Sequence, residues 1–288
     1  MRTTARSSSS SRIRLLVGTC LAAAVCGCGG SSDSSSPSTA TTSQTTTKAP
    51  PPTAAIENPA VRRMGADAVG ADAATLPQHV QPTDPAFLRA AFDSAQEMWR
   101  RKFASAGMTY EPAHLILFHT QVHTPCGVES AETGPFYCPA AKSVYLNTDF
   151  FDALARAYGL NSPFAAGYIT AHEVAHHVQL LLGVHTRVAQ ANAGDPEGSN
   201  RRSIAVELQA DCYAGIWLHN VAAAGQLTDT DVEAILRAAA VVGDDFQRNK
   251  AGAELAPETW THGSSEQRVH WVTVGKQSGA PADCDTFG

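Results

Sequence analysis

No run of lysine and arginine tracks a polyanion, and charged side chains make up only 17% of the 288 residues, with a formal net charge of -6. Bulk electrostatics therefore give no reason to expect a nucleic-acid partner. An internal repeat is also missing. So is any CxxC pair among the seven cysteines, which weakens the case for a zinc site built from thiolates. The apolar stretch near the N-terminus, residues 15–25, is too short to span a bilayer comfortably.

What that stretch does fit is an export signal, because Arg2, Arg6, Arg12 and Arg14 precede it and small residues follow. The sequence Val25-Cys26-Gly27-Cys28 resembles the lipobox of bacterial lipoproteins, with Gly27 as the small residue before the cysteine that becomes diacylated. Residues 1–28 are thus expected to be a lipoprotein-type signal ending at Cys28. Several acyl chains on one cysteine would hold the chain stably to the outer face of a membrane in the bacterial cell envelope. A simply secreted product is the alternative. Residues 29–55 are Gly, Ser, Thr and Pro with almost no apolar side chains, which cannot offset chain entropy and reads as a tether. Residues 56–288 remain for one sizeable domain.

Export places Cys126, Cys138, Cys212 and Cys284 where disulfides persist. Four cysteines allow three connectivities. The expected pairs are Cys126–Cys138, closing a short hairpin-like excursion, and Cys212–Cys284, tying the C-terminal tail to a helix.

Within the domain, Asp84-Pro85 opens a helix whose apolar residues Phe87, Leu88, Ala91, Phe92, Ala95, Met98, Trp99 and Phe103 recur on one face until Gly107. Two strand-like stretches follow, residues 114–122 and 143–147. The second is compatible with plain core sheet. Everything after it reads as helical. Ser162-Pro163 starts a helix that runs to Gly183; another covers about residues 203–224; a third starts at Thr228 with Asp231 as capping box, and a last one at Ser264 with Gln267. The expected fold class is α+β, predominantly helical, with a small sheet.

The chemistry concentrates in His172-Glu173-Val174-Ala175-His176. Residues four apart share a helix face, so both imidazoles can reach one ion, and Glu173 lies beside that ion. There a carboxylate can take a proton from an attacking water and pass it to a leaving amine. A third histidine is absent: the HExxHxxGxxH pattern would need glycine at Gln179 and histidine at Leu182. A carboxylate from a later helix is the remaining option, and Glu207 and Asp211 again stand four apart, in an apolar segment. One can ligate the metal; the other can accept the outer N–H of a ligating histidine. His177 is rotated about 100° from His176 and is not expected to ligate. His185 is expected at the surface, and His270 and Trp271 as packing residues. His262, in the loop before the last helix, is the candidate donor to a developing oxyanion; the alternative is a purely structural bridge.

These residues resemble the gluzincins, the thermolysin-like metallopeptidases. That resemblance implies a zincin-like fold, with Glu207 as the zinc ligand, Asp211 supporting a histidine, and residues 143–147 as an edge strand to which an extended substrate adds, a stretch that reads equally as plain core sheet. The chain is more similar still to the bacterial neutral zinc metallopeptidases, the YpfJ-like proteins, through HEVAHHVQ at residues 172–179, ELQADCYAGIW at 207–217, THGSSEQRVHW at 261–271, GPFYCP at 134–139 and the ending Cys284-Asp285-Thr286-Phe287. It implies one Zn2+ per chain, a protein or peptide substrate, and hydrolysis by zinc-activated water with Glu173 as general base and acid. The competing expectations are a zinc-stabilised, catalytically inactive envelope lipoprotein with an interaction or chaperone-like role, and a zinc hydrolase acting on another envelope amide.

Overall fold

The computed structural model describes residues 56, 58–65, 75–252 and 256–288. The expected signal, Cys28 and the tether lie outside these residues. The first long helix, α1 (Pro85–Ser105), begins where expected: the Asp84 carboxylate accepts from the backbone N–H groups of Ala86 and Phe87, and Pro85 supplies a fixed φ at the first helical position. Its buried face carries the eight apolar residues named above and, in addition, Lys102.

The sheet is more elaborate than its sequence suggests. Strand β1 (His114–Phe118) runs parallel to β5 (Ser143–Asn147), and β4 (Phe136–Cys138) pairs antiparallel with β5 on its other side. Between them, β2 (Gln121–Thr124) and β3 (Gly127–Ser130) form a separate antiparallel hairpin. The stretch 114–122 is therefore two strands, broken at residues 119–120. Ser143–Asn147 is the central strand, with all five residues buried, β1 along one side and β4 against Ser143, Val144 and Tyr145 on the other, so the edge-strand expectation fails. The Cys126–Cys138 disulfide ties the hairpin turn to β4.

Among the described residues, seven further α-helices follow: α2 (Thr148–Tyr158), α3 (Pro163–Leu181), α4 (Val184–Gly194), α5 (Ser199–Ala223), α6 (Asp229–Val241), α7 (Asp244–Ala251) and α8 (Ser265–Ser278). Helix α3 lies in the middle, packed on α1, α5 and α6 and touching β4 and β5. From Pro163 to Gln179 every residue but His176 is buried. Both expected capping boxes form, at Thr228 with Asp231 and at Ser264 with Gln267. Helix α5 starts earlier than residue 203, at Ser199.

The tightest contact is between α5 and α8. A Cβ on Gly275 would stand 1.9 Å from the Cys212 carbonyl oxygen, and one on Gly215 would stand 2.4 Å from that of Val272. Only glycine lets the two backbones approach so closely. The Cys212–Cys284 disulfide then ties the C-terminal segment to α5. Ile56, Val61 and Met64, early in the described residues, join the same core, and their segment lies against the turn at Pro281–Asp283. Among the described residues, no helix is long and apolar enough to cross a membrane. The architecture is mostly helical with small sheets, compatible with the α+β expectation.

Candidate metal centre

His172 and His176 project from successive turns of α3, their ring centroids 4.8 Å apart and their planes at 90°. Glu207, from the facing turn of α5, meets both: its Oε2 is 3.3 Å from His172 Nε2 and its Oε1 is 3.6 Å from His176 Nε2. One ligand atom from each of the three residues lies within 4.8 Å of the others. An ion bonded at 2.0–2.1 Å to tetrahedrally placed donors keeps them about 3.3–3.4 Å apart. The donor set, two imidazoles and a carboxylate, fits zinc, and the two histidine–Glu207 distances lie close to that spacing.

The outer nitrogens of both rings are engaged. His172 Nδ1 is 2.9 Å from Asp211 Oδ1, and His176 Nδ1 is 2.9 Å from Gln179 Oε1. Asp211 is fully buried, and the same Oδ1 accepts from the Tyr168 hydroxyl at 2.5 Å and from Arg268 Nη2 at 2.9 Å. Burial works to raise Asp211, but the Arg268 charge and the His172 bond outweigh it and keep the carboxyl ionised. Glu207 is likewise held well below the usual carboxylate range, against burial, by the two histidines. Burial opposes a charge on His172, yet its bonds to Asp211 and Glu207 push it up to about 10. His176 is held down, by burial first and also by its neighbour His172. The two carboxylates thus make the centre favourable for one added positive charge.

Glu173, 7% exposed, is pushed up to about 7, by burial first and by the Glu207 charge in the same direction. His262 stands across from α5. Asp244, at the start of α7, accepts from the backbone N–H groups of Thr261, His262 and Gly263 through Oδ2, while Oδ1 lies 3.2 Å from His262 Nδ1. Burial alone would lower His262, but the bond to Asp244 and the Glu207 charge raise it. With Nδ1 taken by Asp244, Nε2 is the ring atom left for other partners.

Of the residues picked from the sequence, His172, His176, Glu207 and Asp211 come together directly, Glu173 sits between the ligands on α3, and His262 is close enough for its charge to lower Glu207. His177 points elsewhere, to the Tyr137 hydroxyl at 2.8 Å and the Glu111 carbonyl at 2.6 Å, so it does not ligate. His270 is exposed and Trp271 packs against the core. His185 is a correction. It is half-buried rather than a plain surface residue, because Gly183 at φ 75° ends α3 and leads into α4, which packs on α3. Its Nε2 reaches the His176 carbonyl at 3.2 Å, and burial pushes it down to about 4.

Four residues escaped sequence reasoning: Gln179, Tyr168, Arg268 and Asp244. Arg268 and Gln179 lie inside stretches already singled out, at 261–271 and 172–179, so the stretches pointed to them without giving them roles. Tyr168 is one turn before His172 on the same face, a spacing that a helical projection would have exposed.

Fold and site together define a mostly helical domain with a candidate His-His-Glu metal centre between two buried helices and a buried glutamate beside it. The chain belongs to the family described as "Putative neutral zinc metallopeptidase", whose model matches residues 60–287. It is 40% identical over 196 residues to "Uncharacterized protein YpfJ" of Escherichia coli K12, a match covering 68% of each chain. It is 48% identical over 189 residues to "Uncharacterized protein Rv2575" of Mycobacterium tuberculosis H37Rv, covering 62% of this chain and 63% of that one. No solved structure matches the chain.

Proposed function

We propose that the chain is a zinc-dependent peptidase of gluzincin type that cleaves peptide bonds within a protein or peptide substrate. The observation that carries this reading is the placement of Glu173. A purely structural zinc site has no use for a carboxylate beside its ligands, buried and with its proton affinity lifted to about 7. When bound, one zinc per chain would polarise the scissile carbonyl and make water acidic enough to attack near neutral pH.

His172, His176 and Glu207 would hold the ion. Asp211, charged and braced by Arg268 and Tyr168, fixes the His172 ring with its N–H outward. Glu173 takes the proton of the attacking water and delivers it to the leaving amine. His262, turned by Asp244 and biased toward its charged form, donates from Nε2 to the developing oxyanion. Lipid attachment through Cys28 would place this activity at the outer face of a bacterial membrane, a reading that rests on the signal-like residues 1–28 alone.

Glu173→Gln is the decisive variant. It should keep zinc while cleavage falls by about 100-fold to 10,000-fold. Matched zinc content with cleavage absent from both proteins, across a broad peptide library, would favour a zinc-stabilised binding protein instead.

A further inference from the structure

The two imidazoles of the centre are held by unlike partners. His172 turns Nδ1 to a carboxylate, which can only accept while ionised and so demands an N–H there. His176 turns Nδ1 to a neutral side-chain amide, Gln179, which can present either an oxygen or an NH2 group. Which one it presents decides which nitrogen of His176 carries the ring proton, and hence which has a lone pair for the metal.

Gln179 is fully buried, and its NH2 group is committed. Nε2 donates to the Val206 carbonyl at 2.8 Å and to Gln209 Oε1 at 3.1 Å. Reversing the amide would press Oε1 against two acceptors and leave the NH2 group facing His176 Nδ1. Gln209, also fully buried, raises the same question, and the answer comes from the end of the chain. Its Nε2 faces the Cys284 carbonyl at 3.4 Å, and Cys284 is joined to Cys212 on the same helix as Gln209. Cys212 and Cys284 are both fully buried, so this link is a fixed stop and not an exposed thiol switch.

We propose that Gln179 and Gln209 are positioning residues that hold His176 with its proton on Nδ1 and its Nε2 free to ligate, with the disulfide-anchored C-terminal segment as the end stop. The chain of contacts runs Cys284 carbonyl, Gln209, Gln179, His176, each link one donor to one acceptor. The inference rests on His176 being a zinc ligand, as argued above. It adds that the metal affinity of the centre depends on a side chain, Gln209, that touches neither the metal nor a ligand.

The test is zinc affinity of the full chain, measured by competition with a chromogenic chelator, for Gln179→Met, Gln209→Met and the double variant. Methionine keeps the volume and removes the polar atoms. Gln179→Met should weaken zinc by about 10-fold to 100-fold, and Gln209→Met by less. The double variant should be no weaker than Gln179→Met alone, because Gln209 acts through Gln179. Losses that multiply, or a lowered melting temperature with zinc affinity unchanged, would overturn the proposal. A readout on the unaltered protein stands even if the variants do not fold. In the zinc-loaded, 15N-histidine-labelled chain, His176 must show a slowly exchanging Nδ1–H; a metal-bound or rapidly exchanging Nδ1 would overturn it. His176→Gln separates the two levels. If it abolishes zinc binding while Gln179→Met does not weaken it, the relay fails and the zinc site stands; if it leaves zinc binding intact, the ligand assignment fails and the relay with it.

Discussion

One oxygen of Asp211 gathers three donors, from His172, Tyr168 and Arg268, in a place without solvent. Removing it as Asp211→Ala would strand the buried Arg268 charge, so stability should fall by about 3–5 kcal/mol, read by urea unfolding of the metal-free chain. Zinc affinity should fall by about 10-fold to 100-fold, since the His172 ring loses its orienting partner. Glu207→Ala should do the opposite in each respect: a larger loss of zinc and a smaller loss of stability. The reverse order in zinc content would mean that ligand and supporting carboxylate have been exchanged. His262 and Asp244 make a second prediction, in pH. His262 is raised above 6.5 in the folded chain, so its contribution is full below 6.5 and fades as pH rises through the higher folded value. Asp244 is held below 3.8, against burial, by His262; its contribution is present above 3.8 and is lost as pH falls through the lower folded value. The stability difference between the native chain and Asp244→Asn should therefore be widest between pH 3.8 and 6.5. A flat difference across that range would remove the pair from the account. The residues that meet at the candidate centre were readable in the sequence because helical spacing puts His172 with His176 and Glu207 with Asp211 on shared faces. Asp244 was not, since its role depends on a loop 17–19 residues away folding back over its carboxylate.

Helix α5 brings Glu207 and Asp211 to α3 and meets α8 through paired glycines, which is what lets Arg268 reach Asp211. Helix propensity alone favours alanine over glycine by about 1 kcal/mol. At Gly275 the added Cβ would meet backbone, which cannot swing aside, so Gly275→Ala should be net destabilising by about 1–3 kcal/mol. Thermal unfolding checks the sign; a raised melting temperature would show that the helices can separate at little cost. Long helices were legible here because caps and apolar periodicity agree, as at Asp84, Ser162, Thr228 and Ser264. The strands were less so. β3 and β4 are four and three residues long, bounded by Gly, Pro and Cys, and too short to show alternation. The central position of β5 depends on β4 returning antiparallel beside it, a pairing that local sequence does not encode.

Across the whole molecule, the two disulfides close spans of 12 and 72 residues, one within the sheet region and one from α5 to the C-terminal segment. Chain entropy makes the longer span worth about 4 kcal/mol and the shorter about 3 kcal/mol. Replacing Cys212 and Cys284 together by alanine should thus cost more stability than replacing Cys126 and Cys138, by denaturant titration. Their pairing was expected from the sequence, Cys126–Cys138 as the closure of a short hairpin-like excursion and Cys212–Cys284 as a tie from the C-terminal tail to a helix. The export signal and the lipid anchor belong to residues outside those described, and they rest on the sequence alone. The central claim is that the centre between α3 and α5 is catalytic, and it is tested most directly by zinc-dependent cleavage of a peptide library by the native chain and by Glu173→Gln at equal zinc content. The account predicts cleavage by the native chain and loss of at least about 100-fold in the variant. Equal cleavage by both, or none by either, would contradict it.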